Sequence, residues 1–418
     1  MTKTTPLRLL VISQYFWPES FIINDLVQGL GERGFQVTVL TGIPNYPAGR
    51  FFPGYGLRVK RREDWHGVRV IRVPQIPRGQ GSGLGLAANF LSFALAASLL
   101  GPLLCREPYD LILVFEPSPI TVGLPALVMK KLSKAPIAFW VQDLWPESLS
   151  ATGAVRSPWI LKQVERLVRF IYRHCDLILA QSQAFFPSIA SLGVPEERLR
   201  YLPNFAEDLY QPMQLPPDAL EQAMLPKGFK VMFAGNLGKA QDFPTILKAA
   251  ASLRDHPDIH WLILGDGRQR AWIEEEIKAL GLQASVHLLG RHPKESMPRF
   301  FSLADALLVT LKKDPIFALT IPAKVQAYLA CAKPIIAALD GEGARIVTEA
   351  KAGLAVPAEN PEALAKAVLS LAAIDEGQRQ AMGHNGRTCF AQNFDRTMLL
   401  DRLTGWLRAM PTADQLHG

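Results

Sequence analysis

The sequence predicts an α/β protein built from two doubly wound, mostly parallel sheets in tandem. Three observations predict it. Short apolar runs of strand length alternate with segments of helical periodicity in both halves of the chain. A chain of 418 residues is too long for one ordinary core. A polar, proline-rich stretch at 208–228, DLYQPMQLPPDALEQAMLPKG, separates the halves and reads as a linker. The expected division is therefore 1–207, a linker at 208–228, 229–390, and a C-terminal helical segment at 391–418. That last segment follows the final strand with no sheet partner of its own and is expected to pack back on the first domain.

In chain order, RLLVIS with its neighbours (7–13) is a near-continuous apolar run, as expected of a parallel strand covered on both faces. Further strands are expected at 37–41, 68–73, 111–115, 137–141, 177–180 and 199–202. Helices are expected at 21–31, 120–132, 159–174 and 184–192. The second half repeats the rhythm, with strands at 231–234, 261–264, 286–289, 306–311, 335–338 and 354–356 and helices at 243–250, 269–280 and 397–410.

One segment departs from this rhythm. GSGLGLAANFLSFALAASLLGPLLC (81–105) carries no charge, and its apolar helix, placed at 82–105, is long enough to cross a membrane. Strand and helix signals of one α/β domain lie on both sides of it, and a crossing would put two halves of one sheet on opposite faces of a membrane. The favoured reading is a helix packed within the domain. A helix lying in a membrane interface is the second reading, and a span the last.

Composition is that of a folded protein, 49% hydrophobic and 20% charged, with a net charge of +7. The basic excess is concentrated early, in Arg50, Arg58, Lys60, Arg61, Arg62, Arg69, Arg72 and Arg78. Such a patch suits a phosphate-rich surface, either lipid head groups or nucleic acid, or is a solvated loop. It is not interleaved with any recognisable nucleic-acid module, so no nucleic acid is expected as a partner. Cys105, Cys175, Cys331 and Cys389 form no CxxC pair, and the histidines show no metal spacing, so no metal site is expected. The first residues lead into a strand without the apolar core of a signal peptide, and a cytoplasmic location is expected.

The chemistry centres on FKVMFAGNLGKAQDFPTILKAAA (229–251). A strand, a glycine-bearing turn and a helix can form an anion pocket, because glycine lets backbone approach a phosphate and a helix start offers free N–H groups. Any strand-to-helix turn can carry glycine, and that plainer reading stands beside the first.

The sequence resembles the GT-B glycosyltransferases, and in detail family four, including its bacterial exopolysaccharide and O-antigen subgroup of colanic acid and fucosamine transferases. The matching pieces run in order: SQYFWPESFIINDL (13–26), LTGIPNYP (40–47), QDLWPESL (142–149), LPNFAED (202–208), FAGNLGKAQ (233–241), LGDG (264–267) and IPAKVQAYLACAKPII (321–336). The resemblance implies two Rossmann-like domains facing a cleft. The first would hold the acceptor and the second a nucleotide-sugar donor. It also implies transfer with retention and without a metal, and no cofactor beyond the nucleotide-sugar substrate.

On that reading, developing negative charge on the departing diphosphate would be met by the backbone at Gly235 and Gly238, by Lys239, and above all by Lys324 just after Pro322. Asn236 and Gln241 would add hydrogen bonds, although they stand where relatives commonly carry arginine and lysine. Asp266 would face the donor or serve as a turn aspartate. Arg291 would flank the base, and Gly341 and Gly343 would admit the sugar. Relatives often carry two glutamates at the positions of Leu319 and Ala327, the second of which holds the ribose, and this chain has neither.

Asp143 and Glu147 are placed to orient the acceptor or steady charge on the sugar ring, or to cap a helix. Gln142, Glu19, Asn45 and Tyr46 are assigned to the acceptor. Trp17 and Trp145 are candidates for a sugar site, and Trp140 for core packing. The expected function is hexosyl transfer from a GDP- or UDP-linked donor to a saccharide acceptor, polyprenyl-diphosphate-linked, by a peripheral protein on the inner face of the plasma membrane. Two alternatives stand: a nucleotide-sugar epimerase of the same fold, and a non-catalytic nucleotide-sugar-binding or membrane scaffold protein.

Overall fold

The computed structural model describes residues 6–58, 61–80, 83–151, 155–216 and 218–411. The chain divides into two compact units, Met1–Leu202 with Leu400–Gly418, and Pro203–Leu399. Lys60 of the basic segment and residue 82 of the apolar helix lie outside the described residues.

The first unit is built on an eight-stranded sheet of β1 (Arg8–Ser13), β2 (Gln36–Gly42), β3 (Arg62–Trp65), β4 (Val68–Val73), β5 (Leu111–Glu116), β6 (Ile137–Val141), β7 (Leu177–Ala180) and β8 (Leu199–Tyr201). Its order is β3-β4-β2-β1-β5-β6-β7-β8. All neighbours are parallel except β3, which pairs antiparallel with β4 at the edge. β5 and β6 are buried along their whole length, which is why they read as unbroken apolar runs. The strand order reverses between β1 and β5, so the loops after those strands open at a switch point.

Helices α1 (Ile22–Glu32), α2 (Gly83–Leu104), α3 (Gly123–Ser133) and α4 (Pro158–Arg173) belong to this unit. α2 packs against β2, β4 and α3 through Asn89, Phe93, Ala97 and Gly101, which recur every fourth residue and form one face. Its other face is not covered. The expectation of a helix packed within the domain therefore holds for one face only.

The second unit carries a six-stranded, all-parallel sheet of β9 (Phe229–Ala234), β10 (Ile259–Leu264), β11 (Val286–Gly290), β12 (Ala306–Thr310), β13 (Ile335–Ala338) and β14 (Gly353–Val356), in the order β11-β10-β9-β12-β13-β14. Its helices include α5 (Phe243–Ser252), α6 (Ala323–Ala330) and α7 (Glu342–Glu349). Phe233, Phe243, Ile246, Trp261 and Ile263 are buried in one core cluster under this sheet.

The boundary falls after Leu202 rather than at 207. The cause is packing: Gln326 donates to the Asn204 carbonyl at 2.7 Å, and Tyr210 stacks on Phe301. The stretch read as a linker is also held. It contains a helical turn, Leu220–Ala223, whose Glu221 is clamped by the Arg299 guanidinium at 2.5 and 2.8 Å. α8 (Arg396–Ala409) carries the chain back into the first unit. There Arg33 pairs with Asp401 at 2.7 Å, Arg408 donates to the Arg33 carbonyl, and Leu403 and Leu407 are fully buried.

Candidate functional site

β9 and β10 end side by side in two glycine turns. Gly235 has φ +143° and Gly265 φ +131°, backbone that side chains disfavour. A Cβ on Gly265 would lie 1.9 Å from the Gly235 carbonyl oxygen, and one on Gly235 would lie 2.7 Å from Cε of Lys324. The missing side chain at Gly235 is therefore the space that Lys324 occupies.

Lys324 stands in the first turn of α6, two residues past its cap residue Pro322. Its ammonium donates to Oε1 of Gln241 at 2.5 Å and sits 3.6 Å from the centre of the Phe233 ring. Neither partner carries a negative charge. Burial pulls the Lys324 ammonium down to about 7, because a cation in a dry site without a counter-ion is costly. Such a lysine is poised to take up a proton when an anion arrives.

Two pockets open from this point. One, of about 290 Å³, is lined by Phe205, Glu207, Tyr210, Gly235, Phe301, Lys324 and Ala327 among others. The other, of about 450 Å³, is lined by Gly235, Asn236, Gly265, Asp266, Arg291 and Lys294 among others. They share Gly235 and Met297. Glu207 of the first pocket and Lys294 of the second form an ion pair.

Of the sequence-assigned donor residues, Gly235, Asn236, Asp266, Arg291 and Lys324 thus line these pockets, with Gln241 behind Lys324. Asp266 is also a turn residue, its carboxylate accepting from the Gly267 amide at 2.8 Å.

Other assignments are corrected. Gly238 and Lys239 do not line either pocket, and Lys239 is exposed. The expected anion site at the start of α5 instead carries Asp242 as its cap residue, buried to 4% exposure. The helix that brings its first turn to the pocket is α6. Gly341 and Gly343 serve close packing. A Cβ on Gly341 would lie 2.0 Å from the Ala318 carbonyl oxygen, and one on Gly343 would lie 3.1 Å from Pro322.

In the first unit, Glu19 is buried at 2% exposure. Its Oε1 accepts from the amides of Asn45 and Tyr46 at 2.8 and 2.7 Å, and Oε2 from Phe16 at 3.3 Å. Burial pushes its carboxyl up to about 7 against the pull of those donors. Asn45 is fully buried, donating to the Ile43 carbonyl and accepting from the Arg78 amide. Glu19 and Asn45 therefore brace the loops rather than present acceptor contacts. Tyr46, 38% exposed, is the member of the trio that faces outward. It sits in an aromatic group with Tyr15 and Phe21 under the Arg78 guanidinium. Arg72, counted in the basic patch, is buried and paired with Glu63.

Asp143 and Glu147 lie in the loop and short helix after β6, where Ser148 donates to Asp143. Beside them is Glu116, at the end of β5, which the sequence reading missed. It is fully buried, and neither carboxyl oxygen has a hydrogen-bond partner in the structure. Burial first, and then the Asp143 charge, push Glu116 well above the usual carboxylate range; the backbone of Gln142 and Asp143 offsets only part of this. Burial likewise raises Asp143. Oε2 of Glu147, Nε2 of Gln142 and the Tyr172 hydroxyl are buried without partners as well. Trp140 is core, its indole donating to the Leu202 carbonyl at 2.9 Å, and Trp17 lies near Trp65. Among the described residues, no three His, Cys, Asp or Glu side chains are placed to hold a metal ion.

Comparison with known proteins agrees with this arrangement. Residues 221–388 match the model for glycosyl transferases group 1, and residues 21–204 match the glycosyl transferase 4-like domain. The chain is 25% identical over 316 residues to the colanic acid biosynthesis glycosyl transferase WcaI of Escherichia coli K12, covering 73% of this chain and 76% of WcaI. It is 25% identical over 279 residues to the glycosyltransferase WbjE of Pseudomonas aeruginosa, covering 65% and 67%. The crystal structure of Anabaena HepE in complex with UDP superposes with a TM-score of 0.69 at 17% identity, over 97% of this chain and 100% of HepE, a likeness of fold. The chain belongs to the GT-B glycosyltransferases of family four.

Proposed function

We propose that this glycosyltransferase moves a hexosyl group from a GDP- or UDP-linked donor to a polyprenyl-diphosphate-linked saccharide, at the inner face of the plasma membrane. The observation that carries the donor half is Lys324. It is a half-buried lysine with a depressed pKa and no counter-ion, placed where two pockets meet at a strand-end glycine. A diphosphate at this point would supply the missing charge. Lys324 and the free N–H groups at the start of α6 would then stabilise it as it leaves.

In this reading no metal or cofactor takes part and the anomeric configuration is retained, as the family resemblance implies. Ala327 offers no hydrogen bond where relatives often carry a ribose-holding glutamate, and Glu207 is a carboxylate in the lining of the same pocket. We assign the ribose hydroxyls to it. The UDP in the HepE complex supports a uridine donor. In the first unit, Tyr46 and the Asp143–Glu116–Glu147 cluster are assigned to the acceptor and to its proton.

The test is a thermal-shift screen against UDP, GDP and their sugars, followed by a transfer assay with a lipid-linked acceptor. A midpoint raised by one nucleotide identifies the base, and product carrying the sugar completes the reading. No shift with any nucleotide at millimolar concentration would refute it and favour the scaffold alternative. Donor converted without an acceptor would favour the epimerase.

A further inference from the structure

The uncovered face of α2 has a definite composition. Leu91, Leu95, Leu99 and Leu103 recur every fourth residue and are each 57–63% exposed, and Leu84 extends the line toward the helix start. Successive residues at this spacing stack on one side of a helix, so the four leucines form a ridge about 18 Å long. No charged residue interrupts the helix. A ridge of this size left in water is unfavourable and marks a surface that meets something apolar.

The fold excludes a crossing. The face opposite the ridge is buried on β2, β4 and α3. The strands before and after the helix, β4 and β5, also lie in the same sheet. What remains is a helix lying flat, with only its outer side immersed.

The surroundings show what kind of surface it meets. At the C-terminal end of the ridge, a pocket of about 520 Å³ is lined by Arg62, Glu63, Asp64, Arg69, Ile71 and Leu104. Glu63 is committed to the buried Arg72, Asp64 accepts from the Gly67 amide, and Arg69 reaches Glu107. Arg62 and Arg106, two residues past Leu104, are exposed on the same end. Apolar side chains flanked by guanidinium groups are complementary to acyl chains under anionic headgroups.

We propose that α2 docks in the plane of an anionic lipid leaflet, with the Leu91–Leu103 ridge among the upper acyl chains and a lipid phosphate held at the Arg62 pocket. This deepens the lipid-linked acceptor reading and rests on it for its purpose. The other end of α2 shows that purpose. Asn89 accepts from the Gln14 amide at 2.8 Å and donates to the Ile76 carbonyl at 2.6 Å. Gln14 leads directly into the loop of Tyr15 and Glu19, and Gln75 ties the same cluster to the Ile43 carbonyl. A docked α2 therefore brings the strand-end loops carrying Tyr46 next to the headgroup layer, where the diphosphate of a membrane-borne acceptor would lie.

The test is co-sedimentation of the full chain with vesicles of phosphatidylglycerol and phosphatidylethanolamine in equal parts, and with phosphatidylcholine alone. The expectation is strong binding to the first and weak binding to the second. Leu95→Glu with Leu99→Glu should lower the partition coefficient at least tenfold. Both positions point into solvent, so folding is preserved. Arg62→Ala should lower it about fivefold at low salt, the effect of one surface cation. A polarity-sensitive dye on Leu95→Cys should shift to the blue on anionic vesicles.

Undiminished binding by the leucine double variant would overturn the proposal. So would a wild-type dimer that this variant dissolves without loss of vesicle binding, because the ridge would then serve a second copy. Nucleotide-induced thermal shifts should be unchanged in all three variants. Loss of those shifts in the wild type with vesicle binding intact would refute the donor reading alone.

Discussion

Lys324 makes a quantitative prediction about proton linkage. In the free protein its pKa lies at about 7 because burial penalises the cation and no anion compensates. A bound diphosphate would supply that anion and return the lysine to its ordinary value of about 10.4. At pH 8 about a tenth of the free protein carries the proton, against nearly all of the complex, so nucleotide binding takes up about 0.9 proton. At pH 7 about half of the free protein is protonated, and at pH 9 about one molecule in a hundred. Only the protonated form is competent, so the apparent dissociation constant should weaken about 50-fold between pH 7 and pH 9. Calorimetry of nucleotide binding at pH 8, in buffers of different ionisation enthalpy, reads the uptake directly. Lys324→Met should bind weakly and show neither buffer dependence nor pH dependence in this window. The free protein should also gain stability as pH rises from 7 toward the unfolded lysine value, because there the unfolded chain binds more protons. Equal binding enthalpies in all buffers at pH 8, or the same pH profile in Lys324→Met, would refute the reasoning.

Three further outcomes follow from the same geometry. Gly235→Ala forces a Cβ to 2.7 Å from the Lys324 side chain at φ +143°. It should cost about 1–3 kcal/mol of stability and weaken nucleotide binding at least tenfold, read by denaturant melts and calorimetry. Glu116→Gln should flatten the fall in wild-type stability as pH climbs above about 4.3, since a carboxyl whose folded pKa is raised favours folding only while it stays protonated. Melting temperatures at pH 5 and pH 8 measure this, and a fall equal to that of the wild type would remove Glu116 as its source. Glu19→Ala strands the amides of Asn45 and Tyr46 and should cost about 2–5 kcal/mol. If the residue only braces the loops, residual transfer at saturating acceptor should stay within a fewfold of the wild type.

The strands were readable because parallel strands buried on both faces leave unbroken apolar runs, as in LILVFE and IAFWV. REDW was not, because β3 is a four-residue antiparallel edge whose residues are at most half-buried. The face of α2 was hidden for the opposite reason. Every residue on it is apolar or small, so no periodicity separates the side that packs from the side that does not. Glu19 and Asn45 looked like surface contacts because loop residues with polar side chains usually are. Their burial depends on amide donors from another loop, a tertiary fact. Glu116 carries no sequence signal at all, since an acidic residue at a strand end is ordinarily solvated.

The glycine motif shows most clearly where local reading stops. FAGNLGK suggested an anion held by its own turn, its own lysine and its own helix. The structure keeps the glycine and exchanges the other two parts. Lys239 is exposed, and the head of α5 is occupied by the buried Asp242. The cation comes from Lys324, 83 residues beyond the Gln241 that bonds it, and the helix start comes with it. The exchange has a physical reason. A lysine on the motif's own exposed turn keeps its water, so it gains little from meeting a phosphate. A lysine threaded through the space a missing Cβ leaves is already desolvated. Its attraction to an arriving anion is therefore strong, and largely unpaid until the anion binds. Strand-end glycines in this unit are thus better read as clearings, and the residue that fills each clearing must be sought elsewhere in the chain.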